Sequence, residues 1–278
     1  MAARLQQYLG WRVTDVQVDS GMSSKAARKY LPADEYNAVI GEAITGVHRR
    51  GKYMIFSTSS GALLCHNAMS GYWDASSAPW TFDYVEGKRE ARETDVRVWL
   101  KLTEGLDFLS EEVTLRFHDA RKFGSLRFME PSALAEKLSG LGPDAIETPY
   151  MYELNWSRPE GFIQSMLSDS RPVKEVLMDQ RVVAGVGNIY ASEACFLAGV
   201  SPLRPASSIQ PTYIDAKTPH LFGLWLAMRS VLYCAIKREL DYAPLRVYRK
   251  KECYRCKGAI SSQEIKGRST WWCPSCQN

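Results

Sequence analysis

The sequence predicts an α+β multidomain protein with an N-terminal β-sandwich, a helical domain and a C-terminal zinc-ribbon hairpin. Three observations predict this fold class. Short alternating segments separated by Gly- and Ser-rich turns fill the first half of the chain. Helical periodicity follows a proline-containing linker, and two Cys-x2-Cys pairs lie near the C terminus. We predict domains at residues 1–130, 131–243 and 244–278.

The first domain is predicted to be mainly strands after one short helix. Ala2 to Leu9 is helical by pattern, and Trp11 to Val18 alternates as a half-buried strand does. Ser125 to Phe128 is expected to close a hairpin with the strand that precedes it. Further strands are predicted at residues 43–48, 53–58, 62–66, 95–102 and 113–117, which suits two packed sheets.

The second domain is predicted to contain helices at residues 160–167, 172–179, 188–197 and 219–239. Gly185 and Gly187 directly precede Asn188, which is expected to cap the third of these helices. Glycines next to a helix N terminus expose several backbone N–H groups, so this turn could bind a DNA phosphate. A helical turn in an ordinary core uses the same residues, and the stretch alone does not decide between the two.

Four cysteines near the C terminus have the spacing of a closed zinc site. Each Cys-x2-Cys turn directs two sulfurs at one metal, and two such turns leave no ligand position for water. Two disulfides, or buried thiols that happen to have this spacing, are the alternatives. The sequence shows no signal peptide and no apolar run that could span a membrane, so we expect a reducing, intracellular location. The predicted ligands of one structural Zn²⁺ are Cys253, Cys256, Cys273 and Cys276.

The three other cysteines, Cys65, Cys195 and Cys234, stand singly in apolar surroundings and are expected to be core residues. Charge is also unevenly placed along the chain. The net charge is +4, and the positive excess lies in the zinc segment, where Lys and Arg far outnumber Asp and Glu. A predicted Gly267-Arg268 turn places Arg268 at an exposed tip. A basic, metal-stabilised tip on a near-neutral body predicts contact with nucleic acid.

Four stretches resemble formamidopyrimidine-DNA glycosylase and its relative endonuclease VIII. They are residues 66–71, residues 118–124, residues 179–193 and the zinc hairpin with Gly267 to Thr270. The resemblance spans nearly the whole chain. It implies a β-sandwich, a helix-two-turn-helix domain and a zinc finger. It also implies an enzyme that excises oxidised bases and then nicks the strand by elimination. The implied partner is double-stranded DNA with a damaged, modified or abasic nucleotide.

The resemblance implies roles for six DNA-binding residues. Lys52 matches a lysine that grips a phosphate beside the lesion, and Asn188 and Arg268 match two contacts that hold the backbone of the flipped nucleotide. A further trio matches side chains that fill the space left by an everted base. Taken singly, these residues could also be a core methionine, a hairpin phenylalanine and surface charges. The trio is Met69, Arg121 and Phe123.

The amino end departs from the family pattern. That pattern has an N-terminal proline, whose amine attacks the sugar C1′, and an adjacent glutamate that acts as acid and base. This sequence begins Met1-Ala2-Ala3, and about nine or ten residues, including the Pro-Glu pair, are expected to be missing. Three explanations stay open: a start assigned too far downstream, a DNA-binding relative that does not cut, or a substitute nucleophile. Lys52 or the α-amine of Ala2 would be that nucleophile.

Lesion identity is also open. The short connection from Leu240 to Leu245 resembles the endonuclease VIII branch, whereas Arg121 and Phe123 resemble the oxidised-purine branch. A different class of function, a zinc-ribbon nucleic-acid-binding or scaffold protein, would need only the cysteines. The wedge trio, Lys52 and the Gly-Val-Gly-Asn turn favour the glycosylase type. We expect a monomer with no membrane partner.

Overall fold

A computed structural model of the chain describes residues 2–68, 71–76, 93–105, 111–146, 159–211, 220–237 and 245–278. The chain divides into two compact units, Met1–Ser139 (unit 1) and Gly140–Asn278 (unit 2). Across these described ranges, no helix has the length and apolar character needed to cross a membrane. The predicted combination of N-terminal sheets, a helical segment and a C-terminal cysteine cluster is confirmed. The boundaries near residues 130 and 243 stay predictions.

In the described part of unit 1, two four-stranded antiparallel sheets enclose one hydrophobic core. Numbered in chain order, the strands have the order β1-β6-β7-β5 in the first sheet and β2-β3-β4-β8 in the second. Phe56 from the second sheet and Trp73 and Phe117 from the first are fully buried in this core. The strands are β1 (Arg12–Val18), β2 (Gly46–Arg50), β3 (Tyr53–Ser57), β4 (Ala62–His66), β5 (Tyr72–Ala75), β6 (Val96–Thr103), β7 (Glu112–His118) and β8 (Ser125–Met129).

Short helices flank these sheets. They are α1 (Ala2–Leu5), which continues as a 3-10 turn at Gln6–Tyr8, α2 (Ser24–Ala27), α3 (Ala33–Tyr36) and α4 (Pro131–Ser139). The sequence did not predict α4, because its residues follow a proline at the start of the expected linker. Leu134 and Leu138 lie four residues apart, on one face of α4, and pack against Ile55 and Leu64. Burial of this face explains why the segment is helical.

The predicted hairpin that ends with Ser125 to Phe128 is wrong. Strand β8 pairs with β4, so that Ser125 lies opposite His66, and it does not pair with β7, the preceding strand. Residues 119–124 therefore cross from one sheet to the other. Gly124 makes this crossing possible, because a Cβ atom at this position would lie 2.8 Å from the carbonyl oxygen of His66.

Unit 2 combines four helices in its described part with a two-stranded hairpin. Buried side chains from these helices form one core that includes Phe162, Val176 and Leu224. The helices are α5 (Glu160–Leu167), α6 (Val173–Met178), α7 (Asn188–Leu197) and α8 (Leu221–Lys237), and the hairpin strands are β9 (Ser261–Ile265) and β10 (Arg268–Trp272). The predicted positions of α5 and α7 agree with the structure residue for residue.

The hairpin turn consists of Lys266 and Gly267, whose φ angles are 49° and 71°. Positive φ at both central residues is the pattern of the two-residue turn that matches strand twist. Arg268 is therefore the first residue of β10, not part of the turn as predicted, and its side chain is exposed. The other end of the hairpin packs against α7, with Cys253 and Cys273 beside the buried ring of Phe196.

The isolated cysteines divide into two groups. Cys65 and Cys195 are fully buried, as predicted, and burial raises the pKa of each thiol, that of Cys195 to about 12. Cys234 is exposed on α8, so its prediction as a core residue is wrong. The buried side of α8 is formed by other positions, among them Leu224, Met228 and Leu232.

Candidate nucleic-acid interface

The loop of residues 119–124, which we call the wedge loop, is closed by one buried side chain. The Asp119 carboxylate accepts a hydrogen bond from the backbone N–H of Gly124, and Asp119 is fully buried. The N–H of Lys122 donates to the carbonyl oxygen of Asp119 over 3.1 Å. Lys122 itself has a φ of 57°, a backbone conformation that residues other than glycine rarely adopt. These contacts hold the loop in a tight, defined conformation.

Arg121 and Phe123 project from this loop. Both are exposed, and the Phe123 side chain has 54% of its surface accessible, which is unusual for a large aromatic residue. The guanidinium carbon of Arg121 lies 4.7 Å from the centroid of the Phe123 ring, so the two side chains stack. Met69, the third predicted wedge residue, lies outside the described residues, as do residues 240–244 of the connection predicted to be short.

Lys52 lies in the turn between β2 and β3, next to Gly51, and is exposed. Tyr53, the residue that follows it, pairs with His66 on β4. Burial lowers the pKa of His66, and the positive charge of Lys52 lowers it further. The ammonium group of Lys52 therefore lies close enough to His66, at the end of β4, to affect its charge.

In unit 2, the side chain of Gln180 shapes the turn before α7. Its amide nitrogen donates to the carbonyl oxygens of Met178 and Val186, each over 3.0 Å, and its amide oxygen accepts from the N–H of Gly185 over 3.0 Å. Gly185 has a φ of 99°, which favours glycine. The Gly-Val-Gly sequence before α7 is therefore held in one conformation.

Asn188 is the first residue of α7. The prediction that it caps the helix is wrong, because Gly187 occupies the capping position with an extended backbone. The side-chain oxygen of Asn188 is buried and has no hydrogen-bond partner among the residues that the structure describes. Buried amide groups are normally paired, and this one lies at the positive end of a helix. The unpaired atom is an acceptor, so a ligand that completes it must donate a hydrogen bond, whereas a phosphate would bind through the amide nitrogen.

Arg268 is positioned through a buried lysine. Lys174 on α6 is 1% exposed, and its Nζ donates to the carbonyl oxygen of Ser269 over 2.6 Å and to Oγ1 of Thr270 over 3.0 Å. Burial lowers the pKa of Lys174 to about 8. The backbone directly after Arg268 is therefore fixed to the helical part of unit 2.

A buried carboxylate makes a second connection. Glu193 on α7 is 1% exposed and accepts hydrogen bonds from the N–H groups of Arg246, Val247 and Tyr248, at 2.7–3.0 Å. Sequence reasoning missed both Lys174 and Glu193. Lys174 could have been found from its spacing: it lies three residues before the buried Leu177, and therefore on the buried face of the same helix.

The four C-terminal cysteines lie together, as predicted. All four sulfurs are within 4.8 Å of one another, with 3.9 Å between Cys253 and Cys276 and 3.4 Å between Cys256 and Cys273. Thiolates at about 2.3 Å from a tetrahedral zinc ion are about 3.8 Å apart. The N–H of Gly258 also donates to the sulfur of Cys256. The donor set and its spacing fit a single zinc ion.

Comparison with known proteins agrees with this architecture. Residues 1–126 match the model of the formamidopyrimidine-DNA glycosylase N-terminal domain, and residues 141–240 match the formamidopyrimidine-DNA glycosylase H2TH domain. Formamidopyrimidine-DNA glycosylase of Bdellovibrio bacteriovorus is 31% identical over 270 residues, which cover 91% of this chain and 88% of the relative. The Methylococcus capsulatus protein of that name is 31% identical over 284 residues, or 96% and 93% of the two chains.

Solved structures show the same fold. The Lactococcus lactis formamidopyrimidine-DNA glycosylase, non-covalently bound to DNA that contains an AP site, aligns with a TM-score of 0.76 at 24% identity, over 99% of this chain and 96% of that one. The MutM (Fpg) protein of Thermus thermophilus aligns with a TM-score of 0.71 at 29% identity, over 99% and 95%. Given relatives that are 31% identical along about nine-tenths of the sequence, the chain belongs to the formamidopyrimidine-DNA glycosylase family.

Proposed function

We propose that the protein recognises damaged or abasic nucleotides in double-stranded DNA and acts in base excision repair as a DNA glycosylase with AP-lyase activity. The observation that carries the proposal is the stacked, exposed pair Arg121 and Phe123 on a loop that Asp119 holds closed. Relatives in the family are named DNA glycosylases. Lactococcus lactis Fpg has been solved with DNA containing an abasic site and with DNA containing FAPY-dG.

The wedge pair provides what eversion of a nucleotide requires. Moving a base out of the stack costs about a few kcal/mol, and the cost is smallest where the base is damaged or absent. The Phe123 ring would restore stacking in the gap, and the Arg121 guanidinium would donate to acceptors on the opposing base. Met69 is proposed as the third member of this wedge.

Three residues are proposed to bind DNA phosphates. Arg268 offers a fork of charged donors and Lys52 a compact charge. Asn188 adds an amide beside the first N–H groups of α7, where the helix dipole favours an anion. Phosphate contacts of this kind set the register of the protein on the duplex but do not read its sequence.

The zinc hairpin is proposed to be a scaffold for Arg268. Cys253, Cys256, Cys273 and Cys276 would hold one zinc ion, which as a four-thiolate site supplies folding free energy and leaves no open position for substrate. Lys174 joins this hairpin to α6, and Glu193 joins residues 246–248, which precede the cysteines, to α7.

Binding is tested with duplexes that carry an abasic-site analogue. We expect at least about tenfold tighter binding to the abasic duplex than to the intact duplex, because the unstacking penalty is already met. Fluorescence anisotropy measures both dissociation constants. Arg121→Ala should change the dependence on the opposing base, whereas Lys101→Ala, at a half-buried lysine on β6 that pairs with Glu112, should not. Equal affinity for the two duplexes would remove lesion recognition.

The chemical step is tested by borohydride trapping on abasic DNA. In the family pattern an N-terminal proline and glutamate carry this step, and the protein is compared with a variant that carries an added Met-Pro-Glu segment of family length. A covalent adduct with abasic DNA would support the proposed AP-lyase activity. Mass spectrometry then locates any cross-link. An adduct at Lys52 or at the Ala2 amine would instead identify a substitute nucleophile. Tight abasic binding with no cleavage by the extended protein would indicate a protein that reads lesions without cutting.

A further inference from the structure

Residues 29–31, which form a short parallel bridge with β8, contact the wedge loop. The hydroxyl of Tyr30 donates to the Asp119 carboxylate over 2.8 Å. The ammonium group of Lys29 donates to the carbonyl oxygen of Lys122, at the apex of the loop, over 3.3 Å. One short segment therefore holds the wedge loop at its origin and at its apex.

The same segment is fixed by backbone hydrogen bonds to β8, the strand that directly follows the loop. The N–H of Leu126 donates to the carbonyl oxygen of Lys29 over 2.8 Å, and the N–H of Leu31 donates to that of Leu126 over 2.7 Å. Leu31 is buried and has a φ of 47°, a left-handed conformation that a branched apolar residue rarely adopts. Such strain persists only where the surroundings impose it, and it clusters at functional sites.

The contact between Tyr30 and Asp119 is the strongest of this set. Both residues are fully buried, and a carboxylate acceptor makes the hydrogen bond charge-assisted. Burial and the neighbouring carboxylate raise the pKa of Tyr30 above its ordinary value, so its hydroxyl stays a donor at physiological pH. Arg97 adds a bond from Nε to the carbonyl oxygen of Asp119.

We infer that Tyr30 is a positioning residue that sets the wedge loop so that Arg121 discriminates between bases opposite the lesion. This inference rests on the proposed function. Arg121 is two residues from Asp119, and donor groups must be placed within about 0.5 Å to select one base edge. Tyr30 acts on Arg121 only through Asp119 and the loop. The quantity to measure is therefore the discrimination between opposing bases, not the overall affinity for DNA.

The test measures dissociation constants for four duplexes, each with an abasic analogue opposite a different base. Tyr30→Phe removes only the hydroxyl, and the ratio between the tightest and weakest duplex is expected to fall about fivefold, the effect of losing one hydrogen bond of typical net strength. The dependence of affinity on salt should not change. Tyr36→Phe, at another tyrosine that packs against the same core, should leave the ratio unchanged.

A double-mutant comparison separates positioning from general loss of structure. In the Arg121→Ala background, Tyr30→Phe should cause no further change in the ratio, because the side chain that it positions is gone. A further fall of similar size would overturn the inference. Hydrogen exchange of residues 119–124 in the free protein should be faster in Tyr30→Phe and normal in Tyr36→Phe.

The outcomes also separate this inference from the proposed function. If the unaltered protein does not prefer abasic DNA, the proposed function fails. If it does prefer abasic DNA but Tyr30→Phe keeps the ratio, only the role of Tyr30 is overturned. If the unaltered protein prefers abasic DNA but binds all four duplexes alike, the roles of Tyr30 and of Arg121 toward the opposing base are both overturned, and lesion recognition stands. Should Tyr30→Phe not fold, Lys29→Met, at the exposed contact, is expected to lower the ratio about twofold relative to Lys25→Met. An unchanged ratio in Lys29→Met would then overturn the inference.

Discussion

At the scale of single residues, the phosphate contacts that we propose for Arg268 and Asn188 use different chemical groups, and the difference can be measured. Arg268→Ala removes one exposed cation, so affinity should fall and the slope of log affinity against log salt should decrease by about one. Asn188→Ala removes a neutral amide, so affinity should fall with little change in slope. Lys250→Ala, at an exposed lysine of the same segment, should have a smaller effect on affinity. Equal losses of affinity in Arg268→Ala and Lys250→Ala would contradict a specific phosphate contact at Arg268.

The sequence located these residues but not their local geometry. Asn188 lies at the start of α7 as predicted, yet Gly187, which can take the extended capping conformation, replaces it as the cap. Arg268 follows the turn because Lys266 accepts a positive φ, which composition alone does not reveal. The bonds of Lys174 were not predictable, since its acceptors lie 95 and 96 residues away in the sequence.

At the scale of elements, α6 and β10 are joined by the ammonium group of Lys174. Lys174→Met keeps the approximate side-chain volume but leaves the acceptors of Ser269 and Thr270 without this donor. We expect a loss of about 1–3 kcal/mol in the free energy of unfolding of unit 2, with zinc content unchanged. Chemical denaturation measures the loss, and Lys137→Met on α4 of unit 1 is the control.

The effect of Lys174→Met on the free energy of unfolding should depend on pH. In the folded protein the pKa of Lys174 is lowered to about 8 from its ordinary value of 10.5, so the unfolded chain binds more protons between these two values. Stability therefore rises with pH across this window in the unaltered protein. The difference in unfolding free energy between the unaltered protein and Lys174→Met should increase from pH 8 to pH 10. A difference that is constant or decreases would show that Lys174 is not titrating as a buried amine.

Elements were predicted better than their partners. The alternation of apolar residues identified six of the eight described strands of unit 1 closely and β2 with a shift, because it reports which side of a strand is buried. The same pattern does not say which strand lies beside which, and β8 pairs with β4 and not with β7. Strand β5 escaped prediction because it has only four residues.

At the scale of the whole molecule, the two units should respond separately to loss of zinc. The core of unit 1 is built entirely from residues within 1–139, whereas Cys253 and Cys273 are part of a hydrophobic cluster in unit 2. We expect about one zinc per chain by metal analysis. Cys253→Ser should lose the metal, weaken DNA binding and leave the unfolding of unit 1 unchanged. Cys234→Ser, at a cysteine outside the cluster, should keep zinc and affinity. Less than about half an equivalent of zinc per chain in the unaltered protein would contradict the proposed zinc site.

The exposed ring of Phe123 has a consequence for how the protein finds its target. Because the ring and the Arg121 guanidinium project from a loop that Asp119 closes, the proposed wedge would meet each base step in a defined conformation. During sliding along intact DNA, insertion should be more frequent at easily unstacked pyrimidine–purine steps than within stiff A-tracts. The search would then survey the mechanical softness of the duplex, and the time spent at each step would follow the local stacking energy.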